Sequence, residues 1–335
     1  MKLSLMGRAF LAGTAVALAL TACGGGGGGS ETDTAATSGG KLEKTDITVG
    51  ALPIPDVAPL QIGIQRGLFK EEGLNVKMQP VQSSVHAVPA LQAGTIDVSL
   101  FNYTTAFVQE EKQPGQFKII ADSFQAAPNT FVVMVPPDSE LKGLQDLKGK
   151  TVAVPGLKAV GQLLVEANLK TVGIDATRDG VKFVEMQFPV MPQALKTKQV
   201  DAAFMVEPFI SASQKELGAR KLADTITGPT ADFPIAGWAA TSDWIKKYPN
   251  TLAAFQRAMV KAQGIAAGDR KAVEQVLPTY TKIPPAVASV ITLGTFPTSL
   301  NETRIQRVAD IMLDLGYVKT KLTAKSVIAA PTSGT

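Results

Sequence analysis

Two hydrophobic periods alternate along this chain. Residues 47–52 form a short apolar run of strand length. Behind it, Leu60, Ile64, Leu68 and Phe69 recur every three to four residues, the spacing of one helix face. Gly73 follows, a residue type that closes helices in the left-handed conformation without steric cost. A second apolar run covers 76–81, a further helical stretch leads to Gly94, and a third run begins at Val98. The segment reads strand–helix–strand–helix–strand, the alternation that builds a parallel sheet with helices on its faces.

The same order then returns. Ala90, Leu91, Ile96 and Asp97 recur 104 positions later as Ala194, Leu195, Val200 and Asp201. Upstream, 151–154 matches 47–52, the helical stretch 163–173 matches the one ending at Gly73, and 181–186 matches 76–81. Leu164, Leu169 and Val172 keep the helical spacing, interrupted by the polar Asn168. Two such units predict an α/β protein of two similar lobes. Ligands of open parallel sheets bind outside the carboxyl ends of the strands, so facing loops would line a shared, hinged ligand cleft. Chain order assigns 45–133 and 238–335 to lobe 1 and 138–233 to lobe 2. Crossings are expected near 134–137, where Pro136-Pro137 marks a break, and near 234–237. Helical stretches at 249–267, 270–280 and 302–315 finish lobe 1.

The N-terminus adds an address. Lys2 and Arg8 precede an apolar stretch, 9–20, too short for the roughly 20 residues of a membrane span. Leu20-Thr21-Ala22-Cys23 resembles the bacterial lipobox, which predicts a signal peptide over 1–22 and a lipid anchor on Cys23. Six glycines and a Ser/Thr/Ala-rich stretch follow, a flexible tether over 23–44. A folded body tethered to the outer face of the cytoplasmic membrane, or held in a periplasm, is the implied location. Removing Lys2 and Arg8 with the signal takes the formal net charge from +4 to +2, and no basic run suggests nucleic acid. Cys23 is the one cysteine and His86 the one histidine. That leaves no disulfide framework, no multi-histidine metal site and little for nucleophilic catalysis. No cofactor is implied, and a monomer is expected.

Loops at the predicted strand ends supply the candidate ligand contacts. In lobe 1 they are Pro55 and Asp56 after the first strand, Ser83 and Ser84 after the second, and Asn102 and Tyr103 after the third. Lobe 2 offers Gly156 and Lys158, Phe188, and Glu207 in the corresponding places. Phe124, Asn129 and Trp238 lie on the return segments. Asp56, Ser83 and Glu207 also suit helix capping, and His86 reads as a cap-adjacent surface residue. Lys158 is the only strong base in this set, and no arginine is present. A sulfonate or nitrate site gains from arginine, whereas aromatic rings and carboxylates favour a neutral or amine-bearing organic solute.

Three segments also resemble a known family. Residues 58–74 (Ala-Pro-Leu-Gln-Ile-Gly-Ile-Gln-Arg-Gly-Leu-Phe-Lys-Glu-Glu-Gly-Leu) resemble the opening helix of solute-binding proteins of the nitrate/sulfonate/taurine and thiamine-pyrimidine (NMT1-like) group. Residues 146–154 resemble the start of their second lobe, and 201–208, ending Glu207-Pro208, their Asp-Ala…Glu/Asp-Pro segment. The resemblance implies a type II periplasmic-binding-protein fold. It also implies a small-molecule solute (a sulfonate, nitrate, pyrimidine or similar) and an ABC permease with its ATPase as partner. An enzyme on the same fold, or a ligand-sensing lipoprotein without a transport role, are the alternatives.

Overall fold

A computed structural model of the chain describes residues 40–281 and 283–330. The predicted signal, Cys23 and nearly all of the predicted tether lie outside the described residues. Within them, ten strands form two five-stranded sheets.

The first sheet holds β1 (Asp46–Ala51), β2 (Asn75–Pro80), β3 (Val98–Asn102), β4 (Phe117–Gln125) and β10 (Pro234–Thr241), in the order β2-β1-β3-β10-β4. The second holds β5 (Phe131–Val135), β6 (Thr151–Val154), β7 (Lys182–Glu185), β8 (Ala202–Val206) and β9 (Arg220–Asp224), in the order β7-β6-β8-β5-β9. In each sheet the first three strands of a copy run parallel, as the alternation predicts. The fourth position is taken by an antiparallel strand arriving from the other lobe, β10 in lobe 1 and β5 in lobe 2.

The echo in the sequence is also an echo in hydrogen bonding. The Asp97 carboxylate accepts from Thr48 N at 2.9 Å, and the Asp97 amide donates to Thr48 O. Asp201 repeats both bonds with Thr151, its carboxylate at 2.7 Å. The repeated aspartate thus ties the turn before the third strand of each copy to the start of the first.

The crossings differ from expectation. Residues 131–135 pair with β8 and β9, so the chain changes sheets at 126–130, upstream of the predicted 134–137. The prolines at 136 and 137 end a five-residue, wholly buried strand rather than starting a link, because they offer no N–H to a ladder. The return crossing spans 225–233, and residues 234–237 open β10. Pro234 stands at the first strand position, where proline is tolerated. A Cβ on Gly237 would come within 2.6 Å of Ile119 and 2.7 Å of the Ala121 carbonyl, so glycine there permits close strand packing.

Helices α1 (Ala58–Gln65), α2 (Leu68–Glu71), α3 (Ser84–Gln92) and α4 (Tyr103–Lys112) belong to lobe 1, and α5 (Val160–Thr171), α6 (Met191–Lys196) and α7 (Phe209–Leu217) to lobe 2. Then α8 (Ser242–Lys247), α9 (Pro249–Gly268), α10 (Arg270–Thr281), α11 (Pro285–Ala288), α12 (Glu302–Asp314) and α13 (Ala324–Val327) follow. Ile305, Val308, Ala309 and Met312 form the buried face of α12, spaced as one helix stripe.

Candidate ligand-binding cleft

A cavity of about 50 Å³ lies between the two sheets, at the carboxyl ends of the parallel strands. Leu52, Ile54 and Asp56 enter it from the loop after β1, and Leu100 and Asn102 from the end of β3. Ser83 and Ser84 line it from the start of α3. Lobe 2 contributes Phe131, Pro155, Gly156, Ala159, Val160, Phe188, Phe204 and Val206. Ile235 and Ala236 complete the wall from β10. The volume is well under the roughly 300–1,000 Å³ of pockets that hold larger ligands. A bigger solute therefore requires the lobes to part.

The polar lining is mostly committed to the protein itself. Ser83 is the N-cap of α3, its Oγ accepting from His86 N at 3.4 Å and lying 2.8 Å from His86 Nδ1. Ser84 Oγ accepts from Asn102 N and Nδ2 at 2.9 and 3.1 Å. Asn102 caps α4, its Oδ1 accepting from Thr105 N at 2.9 Å. Asp56 is different. A single turn over Pro55–Val57 places it, its backbone carbonyl accepts from Ser123 Oγ, and the residue is only 3 % exposed. Its carboxylate meets no donor among the described residues beyond its own backbone N–H. Burial pushes its pKa up to about 7, with that N–H the one opposing influence.

Of the residues expected to touch ligand, the cavity gathers Asp56, Ser83, Ser84, Asn102, Gly156 and Phe188. Phe188 is held by a stack on Phe209, centroids 5.3 Å apart. Pro55 is buried at the start of the same turn. The others stand elsewhere. Tyr103 is fully buried and donates to Asp122 Oδ1 at 3.0 Å. Asp122 in turn pairs with Arg304, and burial raises its pKa to about 6 despite that cation. Phe124 packs edge-on between Phe131 and Phe296. Asn129 is exposed in a left-handed turn, bonded to Asp224 and Lys221. Lys158, at φ 54°, turns its ammonium onto the ring of Tyr317, 4.5 Å from the centroid. Glu207 accepts from both the N–H and hydroxyl of Ser211, the capping role that competed with ligand contact, and burial raises its pKa. Trp238 is fully buried in β10.

Leu100, Phe131, Phe204 and Ile235 were not foreseen in the wall. Their sequence signal is that of ordinary strand ends, shared with the core. His86 has a further role: its Nε2 lies 3.6 Å from Glu185 Oε1, across the rim from lobe 1 to lobe 2.

A family model described as NMT1/THI5 like matches residues 54–271. The chain is 25 % identical over 256 residues to a Brachyspira hyodysenteriae protein named as an ABC transporter periplasmic binding protein, covering 72 % of this chain and 71 % of that one. It is 26 % identical over 200 residues to the taurine-binding periplasmic protein of Escherichia coli, covering 58 % of each. Among solved structures, the alkanesulfonate-binding protein of Xanthomonas axonopodis pv. citri bound to MOPS superposes with a TM-score of 0.69 at 18 % identity, covering 86 % of this chain and 99 % of that one. The nitrate-binding protein of Synechocystis gives a TM-score of 0.71 at 15 % identity, covering 86 % of each chain. These likenesses carry the two-lobed periplasmic-binding-protein fold.

Proposed function

The chain belongs to the NMT1/THI5-like family, and from that premise we propose that its cleft captures a small solute outside the cytoplasm and delivers it to an ABC importer. The observation that carries this reading is the cavity walled by strand ends of both sheets. A site divided between two lobes can sense occupancy by closing. The ligand shifts the open–closed equilibrium only by its preference for the closed form. Closure turns about the crossings at 126–130 and 225–233 and shapes the surface that the permease reads. No catalytic step is part of this reading.

Export and anchoring belong to the same proposal. The signal ends at Ala22, Cys23 carries the lipid, and the tether lets a monomeric body range near its permease. Metabolic labelling with a radioactive fatty acid tests the anchor: the chain takes up label, and Cys23→Ala does not.

Solute capture is tested by titrating the purified chain calorimetrically with taurine, alkanesulfonates, nitrate, aminopyrimidines, amines and amino acids. One class should saturate at one molecule per chain. A chain that binds none of them loses this reading in favour of a sensor or adhesive role.

A further inference from the structure

The charge in the cleft is one-sided. Seventeen residues line it, and Asp56 is the only one that is ionisable. Three basic side chains that could supply a counter-charge are engaged elsewhere. Lys158 covers Tyr317, Arg304 holds Asp122, and Arg307 donates to the carbonyls of Pro229 and Ala231. The hydroxyls and amide beside Asp56 bond one another and the helix ends, as described. Twelve of the lining residues are apolar side chains or proline, so the carboxylate faces a low-dielectric wall.

Resting on the reading of this cleft as the solute site, we propose that the solute carries a positively charged nitrogen on a compact apolar body, with Asp56 as its counter-ion. An ammonium or amidinium group donates to the carboxylate, and the body fills the space between Phe131, Phe188, Phe204 and Val206. The N-terminal residues of α5, Ala159 and Val160, line the same space without a side-chain cap. Their free N–H groups suit an acceptor on the same molecule, such as a carbonyl or a ring nitrogen.

An anion is the competing occupant, because helix N-termini attract negative charge. Here α3 is already capped by Ser83. The end of α5 amounts to only about half a positive charge, against the whole charge of Asp56. A sulfonate or nitrate without a cationic group of its own would therefore sit beside an unshielded carboxylate. The arrangement also makes closure conditional. Bringing apolar walls over an unpaired carboxylate is unfavourable, and a bound cation removes the cost. The lobes then favour closing on the right solute over closing on water.

The test compares charge at constant shape. The full chain is titrated with primary amines, amidines and quaternary ammonium compounds of graded apolar size, and with the sulfonate and carboxylate of each body. The expected result is saturable binding of the cations alone, weakened at least about tenfold in Asp56→Asn, as for a lost hydrogen bond to a charged group. Circular dichroism and an unchanged unfolding midpoint at pH 5 establish that the variant is folded. If it does not fold, the cation-against-anion comparison on the unaltered chain decides. Binding of a sulfonate or nitrate in preference to its matched amine overturns the charge assignment while leaving solute capture intact. Cation binding that survives Asp56→Asn undiminished overturns the role of Asp56. If neither series binds, the charge assignment falls, and the wider panel of solutes decides capture separately.

Discussion

The two lobes are built on one plan and furnished differently. Their sheets share a strand order, and each ties its third strand's turn to its first strand through an aspartate, Asp97 or Asp201. Yet the four polar residues of the cleft, Asp56, Ser83, Ser84 and Asn102, all come from lobe 1. Lobe 2 presents only apolar side chains, a proline and a glycine. The difference teaches a division of labour. On the proposed reading, lobe 1 contacts the polar part of a solute and lobe 2 closes over it by removing water. Lobe 1 also holds buried acids paired with cations, Asp97 and Asp122 among them, whereas the buried Glu207 of lobe 2 is held by Ser211. Asp122 is 4 % exposed and depends on Arg304 and Tyr103.

The largest expected effect follows from that last asymmetry. Arg304→Met leaves Asp122 ionised or protonated in the core without its cation, and breaking such a pair costs about 3–5 kcal/mol. Urea unfolding should show this loss. A loss below about 1 kcal/mol would mean that Asp122 is hydrated, and lobe 1 would no longer be the lobe of buried ion pairs.

The polarity of the cleft itself gives the next effect. With the cleft closed, burial pushes the pKa of Asp56 up to about 7, and opening it to water would bring the carboxyl back toward its ordinary value. The closed form therefore binds a proton more readily, and lowering the pH through that window favours closure. Above pH 7 that difference opposes closing without a cation. Tyr280, whose hydroxyl donates to Ile54 O, stays protonated throughout, held well above its usual value by burial and by the Asp56 charge. Small-angle scattering of the chain alone should give a smaller radius of gyration at pH 5 than at pH 8. Asp56→Asn should be compact at both. His86 faces Glu185 across the rim, so Glu185→Gln serves as the control that isolates the Asp56 step.

The duplicated aspartates sharpen the comparison further. Asp97 is buried and also receives Lys44 Nζ at 2.5 Å and Trp244 Nε1 at 2.8 Å, whereas Asp201 is half-buried and holds only the Thr151 backbone pair. Asp97→Ala strands the indole N–H and the ammonium and should cost about 2–3 kcal/mol. Asp201→Ala should cost about 1 kcal/mol. Equal losses in thermal unfolding would show that the extra partners of Asp97 add nothing.

Much of this plan was legible before any coordinates. Alternating periods placed the six parallel strands, and the recurrence of Ala90, Leu91, Ile96 and Asp97 announced the second lobe. The crossings were not legible, because β5 and β10 look like any apolar run and nothing local says which sheet a strand joins. That error carried into the site. Both strands run antiparallel to their neighbours, so their amino-terminal ends face the cleft. Phe131, Ile235 and Ala236 therefore line it, and Trp238, further along β10, falls in the core. Lys158 was misplaced for a different reason. A loop position fixes a residue's neighbourhood, but its left-handed backbone sends the side chain out to Tyr317. Asp56 was legible as a candidate because it follows the first strand directly. Its lack of a partner was not, since that depends on what the second lobe does not bring.

The smallest expected effect concerns the outer seam between the lobes, where Lys170 of α5 meets Asp314 of α12 at 2.5 Å. Both side chains are more than half exposed, 55 % and 62 %, so water screens the pair. Holding two long side chains in one geometry offsets most of what attraction remains, and such pairs contribute about 0–1 kcal/mol. Lys170→Ala should therefore leave both the unfolding midpoint and the affinity for solute almost unchanged. The salt dependence of closure should be equally small, since ions screen surface pairs but not the buried carboxylate inside the cleft. If Lys170→Ala opened the lobes as far as loss of the solute does, the seam rather than the apolar wall of lobe 2 would hold them shut. The division of labour between a reading lobe and a dehydrating lobe would then have to be redrawn around α5 and α12.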